Sequence, residues 1–367
     1  MTINNEIIKS YNEILYILEG GGALGIYQVG VCSGLLEQGL EPTWVIGTSI
    51  GGINAAIMVG NKPEDRIPKL NQFWDSIALS LPKISSGYDA SEQRIWENIF
   101  SSEWSLMLGI SGFFYPRYPS PLTMTNLTPD KLSFYDTSAL RRTLEKFVDF
   151  KILNSRKVRL TLNATRVEDG QSVVFDNSTQ EIGPEHIMAS AALPPGFPAI
   201  KIDDNYYWDG GLQSNTPLDI VVKEKITGKL LCLSMNLFCQ KGAMPKNIFE
   251  VIKRTKDIEY ANSDTTVINY FCELLKLRKM LAPICLDENL NKQHSDLANV
   301  CSLYFPPSLN MARFHYKDSP YDLAGKDFEF SAQSLQERLT KGYEDANKAL
   351  KDPTWLDMKD DIIINNF

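Results

Sequence analysis

Along the first eighty residues the apolar positions switch between two periods. Ile14-Leu15-Tyr16-Ile17-Leu18 is an unbroken apolar run, as expected of a strand covered on both faces, and it leads into Gly20-Gly21-Gly22. Apolar residues then recur at Ile26, Val29, Leu35, Leu36 and Leu40, which predicts a helix opened by the glycines, with Gly39 near its end. Trp44-Val45-Ile46 predicts a second short strand, and Ile50 to Val59 has the alanine content and apolar spacing of a buried helix. The order strand, glycine turn, helix, strand, tight turn, helix predicts parallel strands joined by crossover helices, whose C-terminal ends meet at one edge of the sheet.

Further on, Lys157 to Val167 and Ser172 to Phe175 flank the turn Glu168-Asp169-Gly170 and predict two neighbouring strands. Tyr206-Trp208 predicts a strand after the turn Asp203-Asp204-Asn205, and Leu230 to Leu233 another. Between Ser80 and Pro129 the periodicity is poor. Trp96, Phe100, Trp104, Met107, Phe113, Phe114, Tyr115 and Tyr118 are interleaved there with prolines and glycines, which predicts either a lid or acyl-chain groove or a small satellite core under a long loop. Residues 247–281 predict one or two amphipathic helices broken near Asn262-Ser263-Asp264, and Ala332 to Leu350 a final helix.

Three glycine-rich motifs carry the candidate chemistry. Gly47-Thr48-Ser49-Ile50-Gly51 fits G-x-S-x-G, a turn that projects a serine hydroxyl where a strand passes into a helix. As a bare pentapeptide it would equally be an ordinary turn, but its predicted flanks supply the required context. Gly20-x-Gly22-x-x-Gly25 also fits a dinucleotide fingerprint, yet the second strand ends in Gly47-Thr48-Ser49, with no carboxylate to hold a ribose. The backbone amides of Gly20, Gly21 and Gly22, with that of Ile50, are instead suited to an oxyanion hole. Asp209 precedes Gly210-Gly211 and is the candidate base, although Asp-Gly-Gly alone reads as a surface turn. His186, His294 and His315 lie in no glycine turn, so they are expected to be ordinary residues; a triad through His294 or His315 is the competing arrangement.

These motifs, in this order and spacing, resemble the patatin-like phospholipase family. Ala189-Ser190-Ala191-Ala192-Leu193-Pro194-Pro195 and Asn215-Thr216-Pro217 are similar to further family segments. The resemblance spans residues 14–79 and 157–236. It implies an α/β fold: a patatin-like three-layer core with a mostly parallel central sheet flanked by helices, plus the aromatic-rich insertion and a helical C-terminal part. It implies Ser49 as nucleophile, Asp209 as general base, Gly20, Gly21, Gly22 and Ile50 as the oxyanion hole, and Gly25, Gly47, Gly51, Gly210 and Gly211 as motif glycines. Many members carry a basic residue within the glycine loop where this chain has Leu24. The stretch from Phe328 to Leu350 is similar to the C-terminal extension of a bacterial subgroup. The expected organisation is a catalytic core over 1–236, with the insertion or lid at 80–129, and a mainly helical extension over 237–367.

The implied activity is hydrolysis of a lipid acyl ester, of phospholipase A or lysophospholipase type, through an acyl-enzyme and with no cofactor or metal. The alternatives are an acyltransferase with the same dyad, or a lipid- or partner-binding protein without turnover. Composition narrows the partners. With 37 basic and 45 acidic residues the net charge is −8, which argues against nucleic acid and against broad attraction to anionic membranes, so any membrane contact should be local and apolar. Neither the polar first residues nor any apolar run of about 18 residues suggests a signal peptide or a membrane span, so the expected location is cytoplasmic, with export by a signal-less route the alternative. The six cysteines show no C-x-x-C spacing, and reduced thiols are expected.

Overall fold

The computed structural model describes residues 5–81, 89–123, 125–224, 226, 228–285, 308–358 and 362–367. The strands are β1 (Glu13–Leu18), β2 (Trp44–Gly47), β3 (Tyr115–Pro116), β4 (Tyr135–Asp136), β5 (Arg159–Arg166), β6 (Ser172–Asp176), β7 (Ile200–Ile202), β8 (Asn205–Asp209), β9 (Lys229–Asn236), β10 (Ser308–His315) and β11 (Ile362–Asn366). The helices are α1 (Asn5–Lys9), α2 (Ile26–Glu37), α3 (Ile50–Val59), α4 (Arg66–Ile77), α5 (Ala90–Leu108), α6 (Ser138–Phe147), α7 (Phe150–Leu153), α8 (Pro184–Ser190), α9 (Leu218–Lys223), α10 (Ile248–Cys285) and α11 (Ala332–Lys351).

Nine strands form one sheet in the order β11-β10-β9-β1-β2-β5-β8-β7, with β6 on the free edge of β5. From β11 to β5 every pairing is parallel, while β6, β7 and β8 pair antiparallel. Strand β1 lies at the centre, and its side chains alternate between the two faces. Ile14, Tyr16 and Leu18 join the core that also holds α2, α3, α4 and α11, whereas Leu15 and Ile17 join a second core with α9 and α10. That division makes three layers, and it explains why β1 reads as a continuous apolar run.

The α/β class and the mostly parallel sheet therefore follow the sequence expectation. Three elements differ from it. Residues 90–108 of the irregular insertion form a long helix, α5. Helix α10 runs unbroken through Asn262-Ser263-Asp264, where a break was expected, since residues helical on either side carry the backbone pattern through. The C-terminal part also supplies β10 and β11, which extend the sheet beyond β9.

Candidate active site

The parallel strands β1 and β2 end together, with Leu18 opposite Gly47. The chain then turns sharply, and α3 begins at Ile50. At the apex Ser49 has φ 56 and ψ −125, a conformation that costs a residue with a side chain on the order of 1–3 kcal/mol. The surroundings hold it there. The Ser49 amide donates to the carbonyl of Ser190 at 3.0 Å, and Gly51 donates to Thr48 at 2.8 Å. A Cβ at position 51 would run into the carbonyl oxygens of Leu18 and Glu19, so only glycine lets α3 start this close to the end of β1.

Asp209 reaches the same point from the opposite direction. Strand β6 occupies one edge of β5 along residues 161–165, so β2, opposite residues 159–162, and β8, opposite 164–166, must share the other edge. They lie end to end. Gly47 sits opposite Leu162 and Asp209 opposite Ala164, so the tip of the serine-bearing strand faces the tip of the aspartate-bearing one. The segment after α8 ties the two together: Ser190 accepts from the Ser49 amide, and Ala192 accepts from the Asp209 amide at 2.9 Å.

The Asp209 side chain is almost wholly buried. Its Oδ1 accepts from the Gly211 amide at 2.7 Å, while Oδ2 has no hydrogen-bond partner among the described residues. Burial pushes the carboxyl up from 3.8 to about 7, against the Ser49 hydroxyl and the Gly211 amide, which pull it down. Ser49 and Asp209 line one cavity of about 70 Å³.

The glycine loop forms another wall of that cavity. Gly20, Gly21 and Gly22 all line it, as do Ile50 and Gly211. Gly20 is not a free donor, because its amide donates to Asn215 Oδ1 at 3.1 Å and its carbonyl accepts from Asn215 Nδ2 at 3.2 Å. Among the described residues the amides of Gly21, Gly22 and Ile50 have no protein acceptor. Below the loop, buried Glu19 accepts from the Leu237 amide at 2.6 Å, from Asn236 Nδ2 at 2.8 Å and from the Thr216 hydroxyl. Leu24 is fully buried and does not line the cavity.

Aromatic residues complete the cavity: Phe113 and Phe114 from the insertion, Phe197, Phe238, Tyr260 of α10, and Phe328 and Phe330 from the C-terminal part. Burial raises Tyr260 to about 12, helped by the nearby charge of Asp209, so it stays neutral. Phe113 and Phe114 belong to the insertion for which a lid or groove was one of two readings, whereas the other walls were not legible in the sequence, because they come from distant segments with no motif. The roles of Ser190, Ala192 and Asn215 were visible only as stretches of family resemblance.

The histidines stand apart. His186 Nδ1 accepts from the Gly183 amide at 2.9 Å, and burial lowers its pKa. His315, at the end of β10, is lowered to about 4, chiefly by burial. Neither lines the cavity, and His294 lies outside the described residues, as does Cys301. Among the described residues Cys32, Cys232, Cys239 and Cys272 are free thiols, and no group of three or more His, Cys, Asp or Glu is placed to hold a metal ion. No described helix is long and apolar enough to cross a membrane.

A family model described as patatin-like phospholipase matches residues 16–222, more than half of the chain, and one described as patatin phospholipase matches residues 258–361. The chain is 26% identical over 219 residues to the probable lipid hydrolase 463L of Invertebrate iridescent virus 6, a match that covers 56% of this chain and 62% of that relative. Among solved structures it is similar to VipD from Legionella pneumophila (TM-score 0.37, 14% identity, 93% of this chain and 67% of that one). It is also similar to the type III effector protein ExoU of Pseudomonas aeruginosa (TM-score 0.35, 15% identity, 92% of this chain and 52% of that one).

Proposed function

The chain belongs to the patatin-like phospholipase family, and from that membership we propose that it hydrolyses lipid acyl esters, of phospholipase A or lysophospholipase type, with Ser49 as nucleophile and Asp209 as base. The observation that carries this reading is the pairing of Ser49 with a buried carboxyl whose Oδ2 is unsatisfied, inside an apolar cavity. Asp209 takes the hydroxyl proton as Ser49 Oγ attacks the ester carbonyl carbon. The amides of Gly21, Gly22 and Ile50 hold the oxyanion, with Gly20 clamped by Asn215 to keep the loop in place. Collapse expels the alcohol, which leaves with the proton from Asp209, and the acyl group stays on Ser49. Water then gives its proton to Asp209, attacks the acyl carbon, and the fatty acid is released as the proton returns to Ser49.

An aspartate near its usual pKa is a weak base. Raised to about 7, Asp209 has a far better match to a hydroxyl while still ionising near neutrality. The scheme needs no cofactor. In this reading residues 1–236 carry the chemistry and residues 237–367 complete the apolar walls through Tyr260, Phe328 and Phe330. The substrate is a phospholipid or related lipid ester, met through local membrane contact.

A fluorophosphonate probe tests the nucleophile. Covalent labelling of the wild type and none of Ser49→Ala supports it, whereas equal labelling of both would remove Ser49 from the mechanism. Incubation of both proteins with a mixed lipid extract, followed by mass spectrometry, then identifies which species lose an acyl chain.

A further inference from the structure

Helix α5 is built inside out. The side it buries carries Arg94, Asn98, Ser101, Ser102 and Ser105, while Trp96, Phe100, Trp104, Met107 and Leu108 are exposed, Met107 by 71%. Those five fall on one face at helical spacing. The polar side makes the docking contacts: Arg94 donates to Ser334 Oγ at 2.6 Å and to Glu337 at 3.0 Å, Asn98 to the Tyr321 carbonyl at 2.9 Å, and Ser102 to the Gly325 carbonyl at 3.2 Å, while Arg94 Nε and Ser101 Oγ are left without a partner among the described residues. The helix is thus docked by hydrogen bonds, and its apolar area is turned outward, the reverse of an ordinary surface helix.

We propose that this face docks on a lipid surface with neutral, zwitterionic head groups. The choice of partner rests on the lipid-hydrolase reading above, and three observations favour it. Tryptophan is the side chain best suited to the boundary between head groups and acyl chains, and the face carries Trp96 and Trp104. Its bordering charges are acidic, Glu92, Glu97 and Glu103, with α5's single basic residue, Arg94, turned inward, so anionic lipid gains nothing. The C-terminal end of the face abuts the reaction cavity: the Leu106 carbonyl accepts from Tyr135 Oη at 2.8 Å, and the Tyr135 ring packs on Phe114 and Phe197, which line that cavity. The other aromatic wall repeats the arrangement, since α10, which supplies Tyr260, exposes Ile248, Phe249 and Ile252 at its N-terminal end.

The test is flotation with vesicles, in a Ser49→Ala background so that turnover does not consume the lipid. The probes are vesicles of phosphatidylcholine and vesicles of phosphatidylcholine doped with phosphatidylserine. Replacing Trp96, Phe100 and Trp104 together by serine should weaken partitioning to phosphatidylcholine by at least about tenfold, given the apolar area removed. Added phosphatidylserine should not strengthen binding of the parent protein. In the active background the same triple variant should keep its hydrolysis of a short water-soluble ester and its thermal midpoint, which shows that the fold and cavity survive. Unchanged partitioning in the triple variant overturns the proposal. So does a concentration-dependent dimer, seen by sedimentation, that the triple variant abolishes. If no ester is hydrolysed by the wild type and the vesicle binding is still lost on substitution, the docking face stands and the hydrolase reading falls.

Discussion

At the level of single residues, the unusual group is Asp209, an acid that burial holds half-protonated near neutrality. In its proposed role as base it must be ionised, so kcat/KM on a soluble ester should rise with pH to a plateau, with a midpoint of about 7. Stability runs the other way. Between 3.8 and about 7 the folded state holds a proton that the unfolded chain has released, so the contribution of Asp209 is fully present at low pH and is lost as pH rises through that window. Asp209→Asn should fold, lose about 10²–10⁴ in turnover, and become more stable relative to wild type as pH is raised across the same range in urea titrations. Unchanged turnover in this variant would exclude Asp209 as the base. Asn215 acts one step removed, through Gly20. Asn215→Ala deletes two hydrogen bonds at about 1 kcal/mol each, which would lower kcat by up to about thirty-fold with KM little changed if the loop positions the oxyanion donors. A rise in KM alone would make Asn215 a substrate contact instead.

Elements were legible where their apolar pattern agreed with their burial. Strands β1 and β2 and helices α2 and α3 are covered on the sides their sequences suggest, and Ser49 and Asp209 stand out as candidates because glycines mark the turns that carry them. Helix α5 escaped notice for the opposite reason: its aromatic residues face solvent and its serines face the protein, so a reader who assigns apolar residues to the core finds no sensible helix. Strands β10 and β11 were missed because Asn310 and Arg313 interrupt the first and the second is short. At this scale the start of α3 is the most demanding junction. Gly51→Ala should cost about 3 kcal/mol, as overpacking against the ends of β1 does elsewhere in dense cores, and the urea midpoint measures it. A loss under about 0.5 kcal/mol would mean that the turn can relax, and the fixed geometry of Ser49 would lose its cause.

Over the whole molecule, the C-terminal part is not an appendage, because it closes the cavity and is pinned by charge. Lys326, 1% exposed at its side chain, contacts Asp257 at 2.6 Å and Asp318 at 2.7 Å, and although burial works against it these two carboxylates raise its pKa. Arg338 is held in the same way by Asp322 at 2.9 Å. The next residues after Lys326 are Asp327, whose carbonyl lies against Gly22, and Phe328. Lys326→Ala strands the buried Asp257 carboxylate, while Asp318 keeps Lys253 at 2.7 Å, and should destabilise by about 3–5 kcal/mol in calorimetry or urea unfolding. It should also lower ester hydrolysis, since Phe328 and Phe330 wall the cavity, and full activity in the folded variant would detach this segment from the site. The end-to-end placement of β2 and β8 along β5 makes the sheet a ruler for the reaction. Sliding β8 by one residue would displace Asp209 by about 3.3 Å and turn its carboxyl to the opposite face, so under the proposed mechanism a single-codon insertion inside β8 should abolish ester hydrolysis while one in the 168–170 turn should leave it unchanged.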